Sequence, residues 1–134
     1  MLDYNYCFHH LGVAVPDIPK AIPIYRDLFG YELLSGPFDD PIQKVSVCFL
    51  RREKPGDMVI ELVAPLGANA PIQRSLNAGQ SAYHVCYEVN DMDASMKDLT
   101  AKKCIVLSNP VPAVAFGGRK ISWLSTPTKQ LIER

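Results

Sequence analysis

The stretch from His10 to Asp17 returns 74 residues later as His84 to Asp91, and this repetition restricts the fold more than any other feature of the chain. At that offset His10 falls on His84, Val15 on Val89, Asp17 on Asp91 and Leu33 on Leu107. Four identities are thin evidence by themselves. The order of expected elements repeats with them (strand, cap, helix, strand), which is the pattern of a duplicated supersecondary unit. In the first copy, His10 to Val15 is a β-branched run closed by Pro16-Asp17. Asp17 is suited to cap a helix, and Pro19 to sit in its first turn, where no N–H is needed. Ile18, Ala21, Ile22, Tyr25, Leu28 and Phe29 recur at helical spacing and Gly30 supplies the stop. Pro23 is expected to bend this helix without ending it.

Strands are expected next at Tyr31–Leu34, Lys44–Leu50 and Met58–Ala64. Gly36-Pro37, Asp39-Asp40-Pro41 and Lys54-Pro55-Gly56-Asp57 read as the turns between them. Pro65 to Gly79 reads as a connector with a short helix, whose Ile72 and Leu76 face inward. In the second copy Tyr83 to Val89 is a strand and Asp91 a cap, and Met92, Met96, Leu99 and Lys103-Cys104 follow a helical period. Further strands are expected at Ile105–Leu107, Lys120–Leu124 and Gln130–Glu133. The expected architecture is α+β: two tandem β-α-β-β-β modules, 8–66 and 82–134, joined by a connector at 67–81. A chain of 134 residues is the size of one domain.

Composition narrows the function classes. Fourteen Lys+Arg balance fourteen Asp+Glu, so there is no basic footprint for nucleic acid or an anionic membrane surface. No apolar run reaches the ~18 residues of a spanning helix, and no membrane role is expected. Met1 to Asn5 lacks the basic start and apolar stretch of a secretory leader, which makes a cytoplasmic protein the expectation. Cys7, Cys48, Cys86 and Cys104 form no CxxC pair; Cys48 and Cys86 lie in strand-like apolar runs, where a reduced thiol behaves as a small hydrophobe.

Each copy carries a His at the start of its first strand and a Glu in its last. These are His10 with Glu61, inside Val59-Ile60-Glu61-Leu62-Val63, and His84 with Glu133, inside Leu131-Ile132-Glu133. A carboxylate within an apolar strand is costly to bury unless something pairs with it. One His at a strand start is ordinarily structural, and one Glu on a strand ordinarily faces solvent. The pair recurs at equivalent places in both copies, however, and two imidazoles with two carboxylates suit one divalent ion such as Zn, Ni, Co or Mn, with positions left open for substrate. His9 is expected on the opposite face of its strand, without a role. Gly117-Gly118-Arg119-Lys120 has two readings: a backbone approach to a carboxylate or phosphate with Arg119 and Lys120 as donors, or a glycine turn into a strand with solvated basic ends.

The segments His10-Leu11-Gly12-Val13-Ala14-Val15-Pro16-Asp17, Tyr25-Arg26-Asp27-Leu28-Phe29-Gly30, Ile60-Glu61-Leu62-Val63-Ala64-Pro65-Leu66 and Tyr83-His84-Val85-Cys86-Tyr87-Glu88-Val89 resemble the vicinal oxygen chelate superfamily. Within it they are most similar to methylmalonyl-CoA epimerases and their glyoxalase-like relatives, and the connector Pro71-Ile72 through Leu76 and Gly79 matches as well. The resemblance implies U-shaped mixed sheets cupping one metal ion held by His10, Glu61, His84 and Glu133, and a homodimer. Epimerases of this type often carry Gln where this chain has Glu61; a His/Glu/His/Glu set is the pattern of bacterial glyoxalase I. The catalytic Glu that the epimerase has on the third strand of its first module aligns with Ser46, and Lys44 and Cys48 share that face by alternation. The family also usually continues beyond the position of Arg134.

The implied activity is metal-dependent α-proton transfer on a carbonyl or acyl-CoA thioester, with Glu133, or secondarily Glu61, as base and Ser46, Lys44, Arg119 and Lys120 as substrate contacts. A glyoxalase I-like lyase and a non-enzymatic drug-binding protein of the resistance type are the alternatives. An Fe(II) dioxygenase is disfavoured, because a fourth protein ligand would crowd oxygen and substrate.

Overall fold

The computed structural model describes residues 6–133. The leader reading at Met1 to Asn5 and the chain end at Arg134 fall outside the described residues. The first module runs β1 (Cys7–Ala14), α1 (Ile18–Phe29), β2 (Glu32–Asp40), β3 (Val45–Arg51) and β4 (Val59–Pro65). A connector carries α2 (Gln73–Asn77). The second module runs β5 (Ala82–Glu88), α3 (Met92–Ala101), β6 (Ile105–Val106), β7 (Val111–Pro112), a 3-10 helix (Val114–Phe116), β8 (Lys120–Ile121), β9 (Trp123–Ser125) and β10 (Leu131–Glu133).

Eight strands form one mixed sheet in the order β2-β3-β4-β1-β5-β10-β9-β6. The left half is mirrored in the right, with β1 and β5 antiparallel at the centre and each flanked by its own module's last strand in parallel. The α+β fold of paired β-α-β-β-β modules follows from local signals. Asp17 accepts a hydrogen bond from Lys20 N at 2.9 Å, and Asp91 from Ala94 N at 3.1 Å, so both helices start where the duplicated caps place them. Gly30, at φ 77°, ends α1 in the left-handed conformation that glycine adopts without a Cβ penalty. The helix runs through Pro23.

The apolar face of α1, with Ile18 and Ala21, packs on Val13, Cys48, Leu50, Ile60, Leu62 and Ala64 from the first module's strands. Leu50 and Leu62 are fully buried, each stabilising the fold by about 1.5–3 kcal/mol. The other face of those strands, with Ala14, Val47 and Val63, meets Ala70 and Ile72 of the connector.

Three expectations about elements need correction. The strand expected at Tyr31–Leu34 continues to Asp40, because register shifts after Leu33 and Ser35 absorb the Gly36-Pro37 pair instead of turning the chain. Gly36, at φ 94°, makes this possible: a Cβ there would lie 2.9 Å from Val47 O. The helix expected to reach Cys104 stops at Ala101, and Lys103 turns the chain at φ 71°. The single strand expected at Lys120–Leu124 is broken at Ser122, whose Oγ donates to Ser108 O at 2.7 Å while Ser108 Oγ accepts from Trp123 N at 3.1 Å. Serine side chains here take over bonds that a continuous ladder would make.

Candidate metal centre and its cavity

Two rows of cross-strand neighbours build the site. Across β4, β1 and β5, Glu61 pairs with Gly12 and Gly12 with His84. Across β1, β5 and β10, His10 pairs with Cys86 and Cys86 with Glu133. Cross-strand partners project to one face of a sheet, so each row delivers a carboxylate and an imidazole to the same place. The sequence pattern proposed these four residues, and the fold brings all four together: one donor atom of each lies within 4.8 Å of every other.

His10 Nε2 is 3.3 Å from Glu61 Oε1, 3.2 Å from Glu133 Oε1 and 3.1 Å from His84 Nε2. His84 Nε2 is 3.4 Å from Glu61 Oε1 and 3.7 Å from Glu133 Oε1. Ligands held 2.0–2.2 Å from a zinc-like ion stand roughly 2.8–3.6 Å apart, and four of these five separations fall in that range. All four residues are buried, and Glu133 Oε1 accepts no well-aligned hydrogen bond despite its distance from His10. An orphaned buried carboxylate oxygen beside two inward-facing imidazole nitrogens fits a divalent cation better than it fits a proton network. The mixed N/O donor set suits borderline divalent ions.

Without a cation, protons hold the cluster together. Burial pushes the Glu61 carboxyl up, but hydrogen bonds and charge from His10 and His84 override it and hold it at about 2. Burial pushes His10 down, but the Cys86, Glu133 and Glu61 side chains that face it raise it to about 12. Burial holds the Cys86 thiol up at about 11, so it stays protonated in the neutral range.

The site opens into a cavity of about 420 Å³, lined by Glu61, Glu133 and mostly apolar side chains from both modules, among them Val45, Val47, Phe116 and Trp123. Trp123 Nε1 donates to Gln43 Oε1 at 3.1 Å, and the Trp123 ring stacks on Tyr83 at 6.3 Å. Asp40 also lines the cavity; its carboxylate accepts from Ile42 N and Gln43 N and, across the modules, from Val114 N at 3.4 Å.

The structure places the remaining candidates elsewhere. The pleat of β3 turns Val45 and Val47 to the cavity, so Ser46 faces the side packed by α1, together with Cys48. Burial raises the Cys48 thiol to about 11, which unsuits it as a base. Lys44 is outside the strand, in the turn after β2 at φ 57°. Arg119 bonds Glu88 at 2.8 Å, and with Lys120 it lines a small cleft that shares Phe116 and Ile121 with the cavity wall. Gly117 and Gly118 both have positive φ.

His9 is the residue that strand alternation misjudged. Phe8 pairs with Tyr87 and His10 with Cys86, so His9 is the extra residue of a β-bulge. The bulge brings its ring beside the site, with Nδ1 2.8 Å from His10 Nδ1. Only the adjacent His-His dipeptide hinted at this.

A family model described as the glyoxalase/bleomycin resistance protein/dioxygenase superfamily matches residues 9–123. The mitochondrial methylmalonyl-CoA epimerase of Bos taurus is 36% identical over 111 residues, covering 81% of this chain and 61% of that protein. The ethylmalonyl-CoA/methylmalonyl-CoA epimerase of Cereibacter sphaeroides is 33% identical over 118 residues, covering 87% and 85%. The chain thus spans about three fifths of the mammalian relative and most of the bacterial one. Among solved structures, methylmalonyl-CoA epimerase from Mycobacterium tuberculosis superposes with a TM-score of 0.80 at 25% identity, over 99% of this chain and 90% of that one. Sequence match, fold and duplicated site agree: the chain belongs to the glyoxalase/bleomycin resistance/dioxygenase superfamily, in its methylmalonyl-CoA epimerase-like branch.

Proposed function

We propose that the protein is a divalent-metal-dependent enzyme of the epimerase type, moving the α-proton of a 2-alkyl acyl-CoA thioester. The convergence of His10, Glu61, His84 and Glu133 beside an apolar cavity is the observation that carries this reading. The names of the relatives supply the substrate class. A bound divalent ion would supply Lewis-acid stabilisation for the charge that develops on a carbonyl oxygen when the α-proton leaves. His10 and His84 would hold that ion as neutral donors. Glu133 is the better base of the two carboxylates. Its Oε1 is close to one imidazole, with His10 Nε2 at 3.2 Å and His84 Nε2 at 3.7 Å, whereas Glu61 Oε1 lies between both at 3.3 and 3.4 Å and is held at about 2. The apolar wall would seat the 2-alkyl group and exclude water from the site.

The second face of the α-carbon is where this chain differs from a symmetric two-base site. The cavity-facing positions of β3 are Val45 and Val47, and neither can exchange a proton. The expected activity is therefore α-proton exchange on one face, faster than inversion. A glyoxalase-type lyase is the second reading, favoured by the two-His, two-Glu donor set.

The test is the metal-loaded protein in heavy water with methylmalonyl-CoA, following deuterium uptake by mass and inversion by chirality. Uptake that requires the metal and outpaces inversion supports the proposal. If the thioester shows no exchange while a glutathione hemithioacetal is isomerised, the lyase reading replaces it. If neither substrate reacts, the enzymatic reading fails.

A further inference from the structure

The two imidazoles at the centre occupy equivalent places in the duplicated fold, but their outward-facing nitrogens do not have equivalent surroundings. Each is preceded by a bulged residue. In the first module this is His9, as described. In the second, Gly12 pairs with His84 and Val13 with Ala82, so the extra residue is Tyr83, at the repeat offset from His9. Tyr83 packs its ring edge-on against His84 at 4.4 Å, yet His84 Nδ1 is buried without a hydrogen-bond partner. His10 Nδ1 has one, the Nδ1 of His9 at 2.8 Å.

Two ring nitrogens at that distance share one proton, and the direction of the bond is decided by what the other nitrogen of His10 must do. His10 Nε2 faces His84, Glu61 and Glu133, and to ligate a cation it needs its lone pair. The proton of a neutral His10 is then on Nδ1, so His9 Nδ1 is the acceptor and His9 carries its own proton on Nε2. The His9 ring is not free to turn away. It sits edge-on to Phe49 of β3 at 5.9 Å and to Phe116 of the 3-10 helix at 5.5 Å, one aromatic from each module. His10 itself stacks on Phe116 at 6.1 Å and meets Phe49 at 5.4 Å. The same two aromatic rings orient both members of the pair.

We propose that His9 is a positioning residue: by accepting the Nδ1 proton of His10 it fixes the tautomer that directs the His10 Nε2 lone pair into the four-residue site. A hydrogen bond of this kind also raises the basicity of the ligating nitrogen, and loss of such a partner typically costs about 10–100-fold in metal affinity. The site is thus asymmetric, with one imidazole fixed by a histidine and the other only by packing. The consequence for metal rests on the metal-dependent reading above; the hydrogen bond does not.

Two substitutions separate the bond from the packing. His9→Phe keeps an aromatic ring between Phe49 and Phe116 but removes the acceptor. His9→Asn loses the ring but sets an amide oxygen where Nδ1 stood. Zn²⁺ affinity, measured by competition with a chromophoric chelator, should fall about 10–100-fold in His9→Phe and recover to within a few-fold of the parent in His9→Asn. In the metal-free protein, where His10 carries a proton on Nδ1, 15N-edited NMR should show that proton downfield and protected from exchange in the parent and in His9→Asn, and should show both the downfield shift and the protection lost in His9→Phe; circular dichroism and thermal melts confirm that both variants fold. An Asn variant that binds Zn²⁺ as weakly as the Phe variant, or more weakly, overturns the proposal, as does a parent protein whose His10 carries no Nδ1 proton. If the parent binds no Zn²⁺, Ni²⁺, Co²⁺ or Mn²⁺, the metal-dependent function fails, and the NMR result alone decides whether His9 holds His10.

Discussion

The two modules repeat the same strand order and the same rows of donors, but the residue in the middle of each row differs. Gly12 lies between Glu61 and His84, and Cys86 between Glu133 and His10. Positions 12 and 86 are equivalent under the repeat, so only one copy needs a residue without a side chain. A Cβ on Gly12 would lie 1.9 Å from the His84 ring, which therefore rests directly on the β1 backbone. The Cys86 side chain instead occupies its row, with its Sγ within 4.8 Å of ring nitrogens of His9 and His10. Duplication gave the chain matched ligands, and divergence gave them different supports. The modules also differ in their inner walls: β3 of the first presents Val45 and Val47 to the cavity, whereas β9 of the second presents Trp123, anchored through Gln43 to the first module.

The largest expected effect tests whether the copies act as one site. His84→Ala removes one donor of four and should reduce bound divalent metal from about one per chain to none after dialysis, measured by elemental analysis of the folded protein. Retention of stoichiometric metal would show that the site does not need the second module's imidazole.

Next comes the inner wall. Val47→Glu would place a carboxylate on the cavity side of β3, and Ser46→Glu would place one on the side packed by α1. A positioned base contributes about 10²–10⁴-fold, so inversion of methylmalonyl-CoA relative to deuterium uptake should rise by that order in Val47→Glu and not in Ser46→Glu. Rapid inversion by the unmodified protein would mean that another cavity group serves the second face, with Asp40 and Tyr83 the first to test.

The smallest effect addresses the row centres. Gly12→Ala forces the His84 ring to move and should weaken Zn²⁺ binding about 10–100-fold, whereas Cys86→Ala, which removes a thiol and adds no bulk, should change it only a few-fold. Equal losses in both variants, read by isothermal titration, would remove the asymmetry argued for the supports.

Much of this molecule follows from local rules that the sequence states directly. The caps at Asp17 and Asp91, the helical period from Ile18 to Phe29, the repeat at 74 residues and the paired His and Glu positions depend on neighbours along the chain or on the duplication itself. They sufficed for the paired-module fold and for the four residues that converge. What tertiary structure decided is the phase of each strand. Alternation says that Ser46 and Val47 face opposite ways, but only the packing of α1 against Cys48, Leu50 and Leu62 decides which of them meets the cavity. The same holds for His9. A bulge belongs to two strands and not one, so the register of β1 on β5, set by residues more than seventy positions apart, turned a histidine expected on the far face into the neighbour of His10.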